Sequence, residues 1–199
     1  MRKIQIAVIL ALFALLSACK SSDKSYLNDK LYETPQIGKA LPIRATFLDE
    51  VSWDIPHQNW GVKEWDKDFQ CMKDMVINTV VMIRCGLGRW LAAPFESVLN
   101  ANPNAIYPPV DLVEMFLTLA DKHDMAFYFG TYDSGQWWHE GEYQKEIDVN
   151  IALVDEVWAK YGHHKSFQGW YLSQEVSRRT KNIAKIMAGV GKHAKEISG

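Results

Sequence analysis

Four short apolar runs in the sequence are each followed by polar side chains. The first run leads into Asp49, the second into Arg84, the third into Asp133 and the fourth into Glu175. Carboxyl groups transfer protons or act as nucleophiles, and a guanidinium group donates several hydrogen bonds to a polar ligand. These side chains, recurring at equivalent points, indicate acid–base chemistry on a hydroxylated substrate.

Tryptophan is concentrated in the segments that follow these apolar runs. Five of the eight tryptophans lie there, at positions 53, 60, 90, 137 and 138. Flat aromatic faces stack on sugar rings, while charged side chains hydrogen-bond to sugar hydroxyls. Any one of these indoles could simply pack against the scaffold, but their shared location favours a carbohydrate site. The predicted substrate-binding residues are Trp53, His57, Trp60, Arg84, Tyr132, Asp133, Trp137 and Gln174.

Glu175 is the candidate general acid/base, and Asp49 is the second candidate catalytic residue. Cleavage of a glycosidic bond needs a carboxylic acid that protonates the leaving oxygen beside the bound sugar. Two structural roles compete with this interpretation. Glu175 could cap the N-terminus of the helix that follows it. Asp49 could form an ion pair with Arg84 at the end of the strands.

An alternation of strand-like and helix-like runs positions these residues. The predicted strands cover 42–48, 79–83, 125–130 and 167–172, and the predicted helices cover 62–75, 110–123, 142–161 and 178–197. Strand followed by helix, four times, predicts an α/β fold with parallel strands joined by right-handed crossovers.

The segments between each strand and its helix distinguish two α/β architectures. Those at 49–61, 85–109 and 131–141 are long, as in a (β/α) barrel that builds its site at the carboxyl ends of its strands. No glycine-rich dinucleotide motif follows the first strand. A TIM-type barrel is therefore the prediction, and a doubly wound open sheet stays the alternative.

A complete barrel has eight strand–helix units in about 250 residues, whereas residues 41–199 supply four units. We therefore expect the N-terminal half of a barrel. Retaining glycosidases need a second carboxylate about 5 Å from the first. In barrels with the acid/base after the fourth strand it usually follows the seventh strand, which these residues do not include, so that Asp49 or Asp133 would have to replace it. This chain alone is therefore expected to be inactive. Its open strand edges favour self-association of half barrels.

The first eighteen residues resemble a bacterial export signal. A basic start precedes a short apolar run that ends in L-S-A-C, too short to span a membrane. This order predicts a lipoprotein signal peptide at 1–18, a lipid-modified Cys19 and a polar tether at 19–40. The chain would then be anchored to a membrane of the cell envelope. A plain secretory peptide is the alternative.

Composition excludes several other classes. The formal net charge is −2, with no basic surplus, so we expect no nucleic-acid partner. The histidines are too sparsely partnered to predict a metal site. No P-loop, H-E-x-x-H or nucleophile-elbow motif is present, and no cofactor is predicted.

Four longer motifs resemble one known family. They are T-F-L-D-E-V-S-W-D-I-P-H-Q-N-W-G at 46–61, V-V-M-I-R at 80–84, F-Y-F-G-T-Y-D-S-G at 127–135 and G-W-Y-L-S-Q-E at 169–175. They are similar to the TIM-barrel lipoproteins of gut Bacteroidetes that form the domain-of-unknown-function 4434 family, which are suspected glycoside hydrolases.

The resemblance implies a glycoside-hydrolase-like barrel that acts on carbohydrate. Because members of that family continue beyond the fourth helix, it also implies a truncated representative. Many retaining barrel glycosidases carry their acid/base after the fourth strand, usually preceded by asparagine, whereas Gln174 precedes Glu175 here. A non-catalytic glycan-binding surface lipoprotein, or a barrel hydrolase of another type, remains the alternative.

Overall fold

The computed structural model describes residues 42–52, 59–177 and 180–199. Strands and helices alternate along this part of the chain. They are β1 (Ala45–Leu48), α1 (Val62–Asp74), β2 (Thr79–Met82), β3 (Gly86–Leu87), β4 (Trp90–Leu91), α2 (Glu96–Ala101), α3 (Leu112–His123), β5 (Ala126–Gly130), β6 (Tyr132–Asp133), α4 (Trp137–Glu140), α5 (Tyr143–Tyr161), β7 (Phe167–Tyr171) and α6 (Ile183–Ser198).

The main sheet is parallel, with strand order β1-β2-β5-β7. Leu48 lies opposite Met82, and Val81 lies opposite Tyr128. Each of the four strands is followed by a long helix, which confirms the predicted alternation and the parallel strand direction. The arrangement is that of a partial α/β barrel-like fold.

The last helix begins later than the sequence pattern predicts. The expected start was residue 178, whereas α6 starts at Ile183. Its N-cap residue, Asn182, has a φ of 55°, and this left-handed backbone cannot continue a right-handed helix.

Among the helices of the described residues, none is both long enough and apolar enough to cross a membrane.

The main sheet has one well-covered face. Phe127 and Phe129 of β5 are fully buried with core residues such as Phe69 of α1. Tyr128, between them on the other face, is 37% exposed, and Phe47 of β1 is 58% exposed. Because neighbouring side chains on a strand point to opposite faces, helices cover one face and the opposite face stays more open.

The main sheet is strongly curved. Phe47 on β1 and Tyr171 on β7 have ring centroids 5.4 Å apart, although these are the two edge strands. Three strand spacings amount to about 14 Å, and side chains stand roughly perpendicular to a sheet. The two rings can therefore meet only if the sheet curls around its open face, as the wall of a barrel does.

A second, smaller sheet forms beyond the carboxyl ends of the main strands. Its order is β4-β3-β6, and it pairs Gly86 with Leu91 on one side and with Tyr132 on the other. These strands lie in the long segments predicted at 85–109 and 131–141. The segments are thus partly ordered by pairing with each other.

Helix α1 ends in a strained turn. The amide of Val76 donates to Lys73 O and that of Ile77 to Met72 O, the pattern of a Schellman cap. Val76 has a φ of 67° and is 50% exposed. A β-branched residue is costly in this left-handed conformation, where glycine is preferred.

We expect Val76→Gly to stabilise the protein by about 1 kcal/mol, because it removes this strain and loses little packing. Thermal unfolding should show a midpoint higher by about 2–4 °C. Val62→Gly, at the first residue of α1, is the control and should be destabilising. An unchanged or lower midpoint for Val76→Gly would contradict the strain argument.

Candidate functional site

The carboxyl ends of the parallel strands gather the polar residues that the sequence pattern grouped. Asp49 follows β1 directly, and Arg84 lies two residues after β2. Asp133 ends β6, just beyond β5, and Glu175 lies four residues after β7. All four therefore lie at one edge of the main sheet, where α/β folds build their sites.

Arg84 and Glu175 form a salt bridge at this edge. Arg84 Nη2 lies 2.5 Å from Glu175 Oε1. The arginine side chain is only 8% exposed, whereas that of Glu175 is 65% exposed. Arg84 Nε is buried without a hydrogen-bond partner among the described residues. A buried cation thus holds an exposed carboxylate in place.

This salt bridge decides between roles that the sequence left open. The arginine pairs with Glu175, so the alternative Arg84–Asp49 ion pair is not the one that forms. Glu175 lies eight positions before Ile183, the first residue of α6. The alternative in which Glu175 caps this helix is therefore not the arrangement that forms, and its carboxylate pairs with Arg84 instead.

Asp49 shapes the turn that follows β1. Its Oδ1 accepts hydrogen bonds from the amides of Val51 and Ser52, and its Oδ2 accepts one from Ser52 Oγ at 2.5 Å. Both carboxylate oxygens are therefore engaged locally, as in an Asx-type turn. This geometry gives Asp49 a structural role in the described chain.

Asp133 is a buried anchor. It is 3% exposed, and its Oδ1 accepts hydrogen bonds from the Gly135 amide at 2.8 Å and from Trp138 Nε1 at 2.9 Å. The carboxylate fixes the turn after β6 and the indole of α4. Trp138 is itself buried, so the hydrogen bond between these two side chains stabilises the segment that follows β6.

Glu146 and Asn150 of α5 form a buried polar network that the sequence analysis did not identify. Glu146 Oε1 accepts from the Ser134 amide at 3.2 Å and from Gln174 Nε2 at 2.9 Å. Asn150 exchanges hydrogen bonds with the backbone of Tyr132. Gln174 is thus turned inward, toward the network. It also fixes the backbone immediately before Glu175.

Burial raises the pKa of the Glu146 carboxyl, and the nearby Asp133 charge adds to this, against hydrogen bonds from Ser134 and Gln174 that lower it. Glu146 Oε2 is buried without a hydrogen-bond partner among the described residues. The four-residue spacing of Glu146 and Asn150 within an apolar helix face was the signal that could have located this network.

The predicted aromatic residues have different environments. Tyr132 is fully buried and donates its hydroxyl to Gly88 O at 2.6 Å, and burial raises the pKa of this phenol to about 12. Trp137 is partly buried beside a cavity of about 480 Å³, with Lys145 Nζ 4.1 Å from its ring centroid. Trp60 is 39% exposed. Trp53, His57 and Cys19 lie outside the described residues.

Within residues 42–52, 59–177 and 180–199, no group of three or more histidine, cysteine, aspartate or glutamate side chains is arranged to hold a metal ion. The candidate site is a salt bridge that is supported by a buried polar network and flanked by partly exposed aromatic rings.

These features define the class: an α/β barrel-like protein with its candidate site at the carboxyl edge of a parallel sheet. The chain belongs to the family described as Domain of unknown function (DUF4434), whose profile matches residues 43–199. The predicted family is thereby confirmed. No curated protein matches the chain.

A solved structure is similar to this chain over most of its length. It is described as a putative alpha-L-fucosidase from Bacteroides thetaiotaomicron, with 50% sequence identity and a TM-score of 0.74. The match covers 81% of this chain and 50% of the relative, so the chain spans half the length of that protein.

We expect Glu146→Gln to change how stability depends on pH. A carboxyl whose folded pKa is raised contributes its stability below its unfolded pKa, and this is lost as pH rises through the folded value. The variant removes that titration. Relative to wild type, its free energy of unfolding should therefore improve between about pH 4 and pH 8.

Urea denaturation of both proteins across this pH range measures the difference. Asp148→Asn is the matched control, because Asp148 is an exposed carboxylate on the same helix. A stability difference for Glu146→Gln that does not change with pH would contradict the role given to burial.

Proposed function

We propose that the chain supplies the sugar-binding and acid–base half of a glycoside hydrolase-like protein. The similarity to the Bacteroides thetaiotaomicron relative, at 50% identity over 81% of the chain, carries this proposal. The exposed Glu175 carboxylate at the carboxyl edge of the sheet supports it. An α-L-fucoside is the substrate class that the description of that relative suggests first.

Glu175 acts as the general acid/base in this proposal. Its carboxyl group donates a proton to the glycosidic oxygen as the bond to the sugar breaks, and it later takes a proton from the attacking water. Arg84 holds the carboxylate from its buried side.

A second carboxylate is needed for hydrolysis. One candidate among the described residues is Asp49, but both of its carboxylate oxygens accept hydrogen bonds within its own turn. The other is Asp133, which is buried and accepts a hydrogen bond from Trp138 Nε1. We therefore propose that the chain forms half of a (β/α) barrel and that the other carboxylate comes from residues that the chain does not supply. Pairing of two copies along the open edges of β1 and β7 is a further proposal.

Glycan binding without hydrolysis is the second candidate function. The observation that favours it is the Arg84–Glu175 salt bridge, which occupies the exposed carboxylate that would serve as the acid. A binding protein needs only hydroxyl partners and aromatic surfaces, and the described chain has both at this edge. The two functions differ in whether any bond is cleaved.

Fusing the chain to the part of the Bacteroides thetaiotaomicron relative that it does not match tests hydrolysis. We expect the chain alone not to release 4-nitrophenol from 4-nitrophenyl α-L-fucoside, and the fusion to release it. Glu175→Gln in the fusion should lower kcat by about 10²- to 10⁴-fold, because the amide can neither donate the proton nor take one from the attacking water.

Glu196→Gln, an exposed carboxylate on α6, is the matched control and should leave the rate unchanged. Full turnover by the Glu175→Gln fusion would remove Glu175 from the acid/base role. Sugar binding without turnover by the unmodified fusion would favour the glycan-binding function instead.

We also propose that Cys19 is the lipid-modified N-terminus of an envelope lipoprotein and that 1–18 is its signal peptide. The support is the order of a basic start, an apolar run and L-S-A-C in the sequence. In cells fed radiolabelled palmitate, we expect the wild-type chain to be labelled and Cys19→Ala to be unlabelled. Label that persists in Cys19→Ala would contradict the anchor.

A further inference from the structure

A cleft of about 340 Å³ lies between the segment after β1 and the small sheet. Arg84 and Glu175 are not among its lining residues, so it is distinct from the salt-bridge site. Its volume is at the lower end of the range of small-ligand pockets, which is about 300–1,000 Å³. The cleft can therefore hold about one ring-sized group.

Exposed apolar side chains are concentrated in this cleft. Twelve large apolar side chains of the described residues are exposed, and five of them line it. They are Trp60, Trp90, Ile106, Tyr107 and Val110. Scattered exposed apolar residues are normal, whereas a cluster in a concavity marks a binding surface. Three of the five are aromatic, and the other two form an aliphatic wall.

Two buried polar atoms in the lining residues have no hydrogen-bond partner among the described residues. One is the indole Nε1 of Trp65, a donor on a side chain that is 5% exposed, and the other is Glu50 Oε2, an acceptor. Unpaired buried polar atoms are costly and rare in folded proteins. A vicinal pair of hydroxyls, or one hydroxyl that both donates and accepts, would satisfy them.

The walls of the cleft are held by backbone and ring contacts. Glu50 Oε1 accepts from the Asn59 amide at 3.1 Å, which fixes the residue before Trp60. Trp60 packs edge-on against Trp65, with ring centroids 5.1 Å apart. On the opposite wall, Trp90 is bridged to Ile106, so that wall is built on paired backbone. Trp90 is thus placed by paired backbone, whereas the Trp60 side chain is placed by a ring contact.

We propose that this cleft binds one sugar ring that carries an apolar edge, such as the methyl group of a 6-deoxyhexose. The aromatic faces stack on the ring, the aliphatic wall receives the methyl group, and a ring hydroxyl bonds to Trp65 and Glu50. Since neither polar atom is exposed, the Trp60 indole moves to admit the ring. The inference rests on the proposed action on carbohydrate and adds a subsite to it.

Titration of the full 199-residue chain with L-fucose and with L-galactose tests the inference. These two sugars differ only in the hydroxyl on C6, which would be buried without a partner against the aliphatic wall. We expect L-fucose to bind about tenfold more tightly and to change the tryptophan fluorescence. Calorimetry measures the same two affinities without relying on the indoles.

Two variants locate the binding. Trp90→Ala and Glu50→Gln should each weaken L-fucose binding about tenfold. Glu50→Gln retains an oxygen for the Asn59 amide, so it leaves the turn closed. Met75→Ala, an exposed apolar residue at the other end of α1, is the control and should bind as wild type does.

L-fucose binding that is unchanged in both cleft variants but weakened by Arg84→Met would overturn the subsite and leave the proposed function standing. Equal or tighter binding of L-galactose would overturn the apolar-edge assignment. Absence of binding by the chain, together with turnover of the fucoside by the fusion protein, would also remove the cleft while sparing the proposed function. Absence both of L-fucose binding by the chain and of fucoside turnover by the fusion protein would overturn the subsite and the proposed function together.

Discussion

Curvature of the four-stranded sheet is the constraint on which the candidate site depends. In a flat sheet, β1 and β7 would lie about 14 Å apart, yet Phe47 and Tyr171 bring their rings to 5.4 Å. The same curl lets Arg84, after β2, reach Glu175, after β7, across the intervening β5. The segments that follow two non-adjacent strands therefore meet at this edge of the sheet.

Close backbone approach at the end of β5 makes this curvature possible. A side chain at Gly130 would place a Cβ 2.2 Å from Met82 O and 2.5 Å from Arg84 N. The backbone at Gly130 also accepts a hydrogen bond from the Cys85 amide. Glycine is required here because two strands converge beside the arginine, and not because of an unusual φ. A side chain at Gly130 would therefore disturb both the packing of the two strands and the position of Arg84.

Much of the fold followed from local periodicity, and the parts that did not are those set by distant residues. Helix α1 was predicted at 62–75 and runs Val62–Asp74, because its apolar spacing and charged faces are local features. Strands β3 and β4 have two residues each, too few to show a period. Glu146 was missed because a buried carboxylate on a helix looks like a surface charge until its partners are known.

For the candidate residues, the sequence pattern gives a position along the chain but not the contacts that each side chain makes. The sequence places Asp49, Asp133, Gln174 and Glu175 after strands, but it cannot show which oxygens the backbone will occupy. Three of them are engaged in the fold, by the Ser52 turn, by Trp138 and by Glu146. A carboxylate that accepts hydrogen bonds from backbone amides and a carboxylate that faces a ligand are the same residue type, so the sequence does not distinguish them. Exposure separates them: the Glu175 side chain is 65% exposed although one of its oxygens pairs with Arg84, whereas Asp133 and Gln174 are buried.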